Sequence, residues 1–270
     1  MHGQAVRDGQ VEAELISEYS ALVPGQPHRL GLRLQMDQGW HTYWQNPGDS
    51  GIATNIRWDL PGGFVACEID WPAPDYFELS GLASYGYEGE IVLPIFVEVP
   101  ETVDAAEVTW RATVDWLVCK ETCVPGGAEL FVTLPVAHHF GSLSRDTRHA
   151  DLFTWADHRT PRELSEGFGE AELIGDDIRL TVRGLLPQGD DSASFSARFF
   201  PHDPQSIAMS GEQRFTLTDG REIILDLPGN TISPPPARLS GVLVIHQGGD
   251  LYSSIEINLP VRGVAASDRK

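Results

Sequence analysis

The sequence predicts an all-β protein with two β-sandwich domains in tandem, joined by a partly helical linker. Short segments alternate apolar and polar residues, which is the pattern of half-buried strands. Clusters of Pro, Gly, Asn and Asp separate these segments, as turns do between antiparallel strands. Strands this frequent favour an antiparallel sandwich over alternating strand–helix units. At 270 residues the chain is long for one sandwich and comfortable for two.

The first predicted domain covers residues 1–140. Its clearest strand patterns are Val11–Tyr19, Arg29–Met36, Glu90–Val99 and Glu107–Val118. Turn sequences are found at Asn46–Asp49, Leu60–Gly63 and Val124–Gly127. A further predicted strand, Trp40–Trp44, is unusually aromatic. All three cysteines of the chain lie in this domain, so any thiol chemistry is expected here.

Residues 141–166 are predicted to form the linker. A helix is expected over Ser144–His158, with Ser144 as its cap and Pro161 just beyond its end. The second domain is predicted over residues 167–265, followed by a tail over 266–270. Its strand patterns are Ile178–Val182, Ala193–Phe200, Arg214–Thr218, Glu222–Leu227, Gly241–Gln247 and Tyr252–Leu259. Because it has no cysteine, this domain is expected to act as a spacer, to provide a docking surface or to stabilise the protein.

The composition excludes several classes of function. The formal net charge of -20 argues against nucleic-acid binding, which depends on Lys and Arg neutralising phosphates, and against anionic lipid surfaces. No segment reaches the roughly 20 apolar residues of a membrane span. The N-terminus has no apolar segment of the kind found in signal peptides. We therefore expect either a cytosolic protein or a mature or trimmed segment.

The chemistry is concentrated in the C-x-x-x-C motif of Cys119 and Cys123. On one continuous strand these residues would lie roughly 13 Å apart, at about 3.3 Å per residue. A disulfide needs Cα atoms about 4.4–6.8 Å apart. A bond between the two sulfurs therefore requires a turn, and the polar segment Lys120–Thr122 is suited to form it.

Three interpretations of this pair are open from the residues alone. An exposed short-loop disulfide would exchange with an incoming thiolate through a mixed disulfide. A permanent staple would gain only ~2 kcal/mol from closing so short a loop. A metal site would have to include His138 and His139, whose adjacency does not match the usual spacing of zinc ligands. No metal is therefore predicted.

Several residues are candidates for the surroundings of the pair. Lys120 would favour a thiolate, whereas Glu121 would oppose it. The segment Ser84–Gly89 is predicted to be an aromatic, glycine-flanked loop that is able to cover a small reactive group, with core packing as the alternative. His41 invites a Cys–His hydrolase interpretation, but the sequence supplies none of the surroundings of such a site. Cys67 lies in a strand pattern and is predicted to be a buried thiol.

Four motifs resemble, in the same order, the N-terminal periplasmic region of the DsbD family, above all its ScsB-like branch. The match runs over about residues 10–136, through Gly39–Gly51, Trp71–Pro74, Tyr85–Tyr87 and Trp116–Pro125. The resemblance implies an immunoglobulin-like sandwich outside the inner membrane. DsbD itself separates its two cysteines by five residues where this chain has three, so the loop conformation is not carried over.

The resemblance also implies roles for individual residues. Cys119 and Cys123 match the redox pair, and Cys123 matches the cysteine that forms mixed disulfides with partners. The other expected site residues are a shielding cap loop, Ser84, Tyr85, Gly86 and Tyr87, and the active-site neighbours Tyr43, His41 and Lys120.

An electron relay without a small-molecule cofactor is the implied function, which would make the chain a protein-disulfide reductase module. A thioredoxin-like domain of the parent membrane protein would reduce the cysteine pair. The pair would then reduce a periplasmic disulfide isomerase or another thioredoxin-fold protein. The chain would be a soluble periplasmic segment of an inner-membrane protein, attached to the membrane only through the parent protein. The alternative is a non-catalytic protein-binding module with a structural disulfide.

Overall fold

The computed structural model describes residues 2–79, 81–137, 143–165, 168–186, 195–219 and 221–264. In these ranges the chain forms twenty strands and one helix. The strands are β1 (His2–Gly3), β2 (Val6–Asp8), β3 (Val11–Ser17), β4 (His28–Met36), β5 (His41–Gly48), β6 (Asn55–Asp59), β7 (Val65–Ile69), β8 (Asp75–Leu79), β9 (Leu82–Glu88), β10 (Glu90–Glu98), β11 (Glu107–Cys119), β12 (Cys123–Pro135), β13 (Arg162–Glu163), β14 (Gly169–Ile174), β15 (Asp177–Val182), β16 (Phe195–Pro201), β17 (Arg214–Leu217), β18 (Ile223–Leu227), β19 (Arg238–Gln247) and β20 (Asp250–Arg262). The helix, α1, spans Ala150–Arg159.

The chain divides into two compact units. Unit 1 comprises Met1–Pro47, Gly51–Asp75 and Gly86–Thr160, and unit 2 comprises Gly48–Ser50, Tyr76–Tyr85 and Pro161–Lys270. The boundaries predicted from the sequence, at residues 140/141, 166/167 and 265/266, lie outside the described residues. That division into domains therefore stays a prediction.

Unit 1 contains two sheets. One has the order β1-β12-β11-β5 followed by the part of β9 that belongs to this unit, with β6 also beside β11; the other has the order β2-β3-β4-β10-β7. Strand β11 shows why this sequence forms a sandwich, since every second side chain is buried. These core residues are at most 6% exposed: Val108, Trp110, Ala112, Val114, Trp116 and Val118. The predicted strand Glu107–Val118 is confirmed to within one residue.

Helix α1 packs against the second sheet of unit 1. The residues buried in this contact are Ile16 of β3, Val92 of β10, and Phe153 and Ala156 of the helix. The prediction of Ser144 as the cap is wrong, because the residue before the first helical turn is His149, which makes no side-chain cap bond. The Ser144 hydroxyl instead hydrogen-bonds to the Ser20 hydroxyl at 3.0 Å. Pro161 does follow the helix end, as predicted.

Unit 2 is built around a second, separate core. Its strands follow the order β16-β19-β20-β14-β15-β18-β17, with β13 also beside β20. Strand β20 is long enough to pair with β19 along most of its length and with β14 near its end. The core is mainly aliphatic and includes Leu180, Phe199, Leu225 and Leu243. The all-β fold class with sandwich-like sheets is thus confirmed.

Two of the predicted turns lie mostly or wholly in strands. In the turn predicted at Asn46–Asp49, the first three residues end β5 and Asp49 lies in a bend just beyond it. The turn predicted at Val124–Gly127 lies within β12, in register with β11. Gly126 suits this position because a Cβ there would lie only 2.5 Å from Trp116 Nε1. The turn predicted at Leu60–Gly63 is confirmed by a hydrogen bond from the Phe64 N–H to the Pro61 carbonyl.

Candidate active site

The two cysteines lie at the tip of the long β11–β12 hairpin. Cys119 ends β11, Cys123 begins β12, and the two residues are directly opposite each other in the register of the hairpin. The Lys120 N–H donates to the Thr122 carbonyl at 3.3 Å and closes the three-residue turn. The Cα atoms are 4.1 Å apart and the sulfurs are joined in a disulfide. The turn that a bond between the two sulfurs requires is therefore present.

The two halves of the disulfide differ in exposure. Cys119 is 0% exposed, because its strand continues into the core of the sheet. Cys123 is exposed, and the next residue, Val124, is an apolar side chain that is 37% exposed. Of the two cysteines, Cys123 is therefore the one that is accessible from solution.

Tyr43 of β5 contacts the exposed cysteine from the buried side. Its hydroxyl lies 3.7 Å from Cys123 Sγ, and the residue is only 1% exposed. Gly51 leaves room for the ring, because three ring carbons of Tyr43 are the atoms that a Cβ at this position would overlap. The sequence alone did not indicate a role for Gly51. A glycine shortly after Asn46–Gly48 is visible in the sequence, but the need for a glycine there depends on the contact with the Tyr43 ring, which only the fold creates.

His41 faces the other cysteine. It is the residue of β5 directly opposite Cys119 of β11, and it is 4% exposed. Its ring packs edge-on against Tyr43, with 5.3 Å between the centroids. Burial lowers the pKa of His41 below its ordinary value of 6.5, because the interior solvates the imidazolium poorly. The imidazole is therefore neutral at neutral pH.

Lys120 is anchored to a neighbouring turn. Its Nζ donates to the Gln38 carbonyl at 3.3 Å, and its side chain passes over Gly39, where a Cβ would lie 3.1 Å from Nζ. Gly39 has a φ of +77°, which glycine adopts without strain. The ammonium group thus connects the tip of the hairpin to the β4–β5 turn.

The four predicted cap residues do not form a loop. Ser84, Tyr85, Gly86 and Tyr87 all lie within β9, and the two tyrosines are 0% exposed. Gly86 permits a close approach of the neighbouring strand, since a Cβ there would clash with the Thr42 carbonyl oxygen. The prediction of a loop is wrong because these aromatic side chains pack in strand geometry. A shielding role for the four residues stays a prediction.

The contacts of the two tyrosines fall in different units. In unit 2, the Tyr85 ring packs edge-on against Phe200, and its hydroxyl donates to the Met209 carbonyl. In unit 1, the Tyr87 hydroxyl donates to the Pro72 carbonyl at 2.6 Å. Burial raises the pKa of both hydroxyls, so both stay protonated at neutral pH.

Cys67 is exposed, which contradicts the prediction of a buried thiol. It lies on β7, which has a paired neighbour on one side only and forms the end of its sheet. The alternation around Cys67 identified a strand correctly but could not show that the strand lies at an edge. Any thiol experiment on this protein must therefore account for a second reactive position.

No group of three or more His, Cys, Asp or Glu side chains is arranged to hold a metal ion across the described parts of the chain. His138 and His139, which the metal interpretation needed, lie outside the described residues. Among the described residues no helix is both long enough and apolar enough to span a membrane.

Comparison with solved structures yields a strong match over nearly the whole chain. The N-terminal periplasmic domain of ScsB from Proteus mirabilis aligns with a TM-score of 0.65 at 16% identity, over 95% of this chain and 97% of that chain. Domains 5-6 of the S-layer protein SbsC give a TM-score of 0.22 at 10% identity, over 96% of this chain and 100% of that one. A putative membrane anchored protein from Corynebacterium diphtheriae gives 0.23 at 9% identity, over 93% of this chain and 53% of that one. The last two scores are too low to support an inference.

No curated protein matches the chain in sequence. The family model of the N-terminal region of the thiol:disulfide interchange protein DsbD matches residues 11–135. This region contains the hairpin with the disulfide as well as Tyr43 and His41. The expected resemblance is thereby confirmed at the level of the family. Residues 11–135 therefore form a DsbD-family N-terminal domain, within a chain that shares the overall fold of the ScsB N-terminal periplasmic domain.

Proposed function

We propose that this chain is a periplasmic protein-disulfide reductase module of a larger membrane protein. A thioredoxin-like domain of that protein reduces the Cys119–Cys123 disulfide. The resulting dithiol then reduces a disulfide in a periplasmic disulfide isomerase or another thioredoxin-fold protein. Cys119 and Cys123 are the catalytic residues, and no small-molecule cofactor takes part.

The observation that carries this proposal is the unequal exposure of the two sulfur-bearing residues. A disulfide that serves only as a staple works equally well with both halves buried. Here Cys123 is exposed beside an exposed apolar residue, whereas Cys119 is 0% exposed. Thiol–disulfide exchange needs this arrangement, because one sulfur must be reached from outside and the other must wait inside to resolve the intermediate.

Reduction of the module proceeds in two steps. An incoming thiolate attacks Cys123 Sγ, the bond between Cys119 and Cys123 breaks, and Cys119 leaves with the electron pair. The second thiol of the donor then attacks the donor sulfur that is bonded to Cys123 in the mixed disulfide, and Cys123 leaves as a thiolate. The donor is oxidised to a disulfide, and the module gains two electrons and two protons. Reduction of the downstream partner runs through the same steps in reverse.

Trapping the intermediate tests the assignment. Two single-cysteine modules are compared, one carrying Cys67→Ser with Cys119→Ala and the other Cys67→Ser with Cys123→Ala, so that no second thiol can expel a bound partner. Each is treated with an aromatic disulfide to activate its remaining cysteine, and is then mixed with a reduced thioredoxin-fold domain that retains only its nucleophilic cysteine. We expect a covalent complex, mapped by peptide mass spectrometry to Cys123, with the first module and none with the second. A complex through Cys119 alone, or no complex with either module, contradicts the proposal.

A redox titration separates this function from a non-catalytic binding module with a structural disulfide. Exchanging couples have midpoint potentials between about -120 and -270 mV, whereas structural disulfides fall below about -300 mV. We expect the Cys119–Cys123 couple in the first range. A value in the second range supports the binding module.

A further inference from the structure

The leaving group of the exchange reaction is buried. Cys119 is 0% exposed, so the thiolate that it becomes is not solvated by bulk water. Burial in an apolar environment disfavours the charged form of a thiol and raises its pKa. A buried thiolate therefore needs a proton as it leaves, and a buried thiol needs a proton acceptor when it attacks.

One ionisable side chain is placed to exchange that proton. His41 lies directly opposite Cys119 on the adjacent antiparallel strand. The Cβ atoms of such a pair are about 4.5–5.5 Å apart and their side chains project from the same face of the sheet. His41 is 4% exposed, so it shares the water-poor environment of the sulfur. The imidazole and the Cys119 sulfur are therefore neighbours on one face of the sheet.

We propose that His41 is the catalytic proton acceptor and donor for Cys119. The inference rests on the proposed function and adds a residue to its chemistry. When the Cys119 thiol attacks Cys123 Sγ in a mixed disulfide, its proton passes to the neutral imidazole. The Cys119–Cys123 bond forms, the bond between Cys123 and the partner sulfur breaks, and the partner leaves with the electron pair as a thiolate. In the opposite direction the imidazole first takes up a proton from water and then donates it to Cys119 as that sulfur leaves.

The charges around His41 are compatible with this role. Tyr43, on the same strand, contributes a hydroxyl that contacts Cys123 Sγ. From β11, the Lys120 ammonium group is held at the Gln38 carbonyl. From β9, Gly86 lies against the Thr42 carbonyl and contributes no charge. Burial keeps His41 neutral, which is the form that accepts a proton.

The test separates attack by Cys123 from attack by Cys119. The reduced Cys67→Ser protein is mixed with a chromogenic aromatic disulfide such as dithiobis(nitrobenzoate) in a stopped-flow instrument. The first release of coloured thiol reports the reaction of Cys123, and the second reports the attack of Cys119 on the mixed disulfide. No protein partner is involved, so the result does not depend on whether the proposed partners are correct.

The variants are His41→Gln and His41→Asn, with Thr42→Val as the matched control. Thr42 is the next residue on β5, is 0% exposed, and directs its hydroxyl to Met36 Sδ. General acid–base catalysis contributes about 10²–10⁴-fold, so each His41 variant is expected to slow the second phase at least about tenfold. The first phase is expected to change less than about twofold, and Thr42→Val to leave the ratio of the two phases unchanged.

The pH profile distinguishes a chemical role from a structural one. In the protein with His41, the second phase is expected to slow as the pH falls through a pKa below 6.5, because protonated imidazole accepts no proton. Both His41 variants are expected to lose this inflection. An unchanged second phase, or equal slowing of both phases with the inflection retained, overturns the proposal. If neither variant folds, the pH profile of the protein with His41 decides. A second phase without the inflection overturns the proposal, and an inflection in the second phase alone supports the proposal.

Discussion

Replacing Gly51 by alanine is expected to destabilise unit 1 and to displace Tyr43 from the disulfide. Gly51 has a φ of +125°, a conformation that L-residues adopt only under strain, at about 1–3 kcal/mol. The new Cβ would also overlap the Tyr43 ring, with Cζ only 2.7 Å away. Overpacking a buried site costs typically about 1–3 kcal/mol. The two terms together give a loss of about 2–6 kcal/mol.

Urea unfolding followed by tryptophan fluorescence measures this loss, and Gly62→Ala is the matched control. A Cβ at Gly62 meets no atom within 4 Å, so the control is expected to stay within about 0.5 kcal/mol of the parent. In Gly51→Ala, the disulfide is also expected to react faster with a small thiol, because the Tyr43 hydroxyl no longer contacts Cys123. If Gly51→Ala is as stable as Gly62→Ala, the packing of the Tyr43 ring against Gly51 is not as described here.

Three further predictions follow from the described contacts. Burial lowers the pKa of His28 from 6.5 to about 4, so the unfolded chain takes up this proton at a higher pH than the folded one. The contribution of neutral His28 to the free energy of unfolding is complete above pH 6.5 and falls by up to about 3 kcal/mol as the pH drops to 4. His28→Gln should remove this part of the pH dependence of the unfolding free energy. A maleimide added to the folded, oxidised protein should label Cys67 alone, so intact mass should show one adduct, and an unmodified mass would contradict the exposure of this thiol. Phe153→Ala should cost about 3–5 kcal/mol in urea unfolding, since the ring is fully buried under the sheet, whereas Thr154→Ala on the exposed side should cost under about 1 kcal/mol.

The strands with long, regular alternation were predictable from the sequence. In β11 buried residues alternate with partly or fully exposed ones from Glu107 to Val118, so the sequence pattern indicated both the strand period and the strand bounds. The turn between Cys119 and Cys123 was predictable on one condition, because two cysteines at this spacing can form a disulfide only if the chain turns between them. The polar composition of Lys120–Thr122 then placed that turn correctly.

Features that depend on a partner strand were not predictable. The Ser84–Tyr87 segment was expected to be a loop because glycines flank it, yet Gly86 serves the close approach of β5. Cys67 was expected to be buried because it lies in a strand, and only the sheet order shows that this strand is an edge. Gly51 and the pairing of His41 with Cys119 likewise became visible only once the register of β5 was known.

Strand β9 has a practical consequence for anyone who wishes to study the thiol chemistry in isolation. Its residues up to Tyr85 belong to unit 2, and its residues from Gly86 onward belong to unit 1. A gene fragment ending at Thr160 would encode Tyr85 but omit Phe200 and Met209, which its ring and hydroxyl contact. In the product, Tyr85 would lose the residues that cover it, and the newly exposed apolar surface would favour aggregation. Biochemical work is therefore best done on the intact chain.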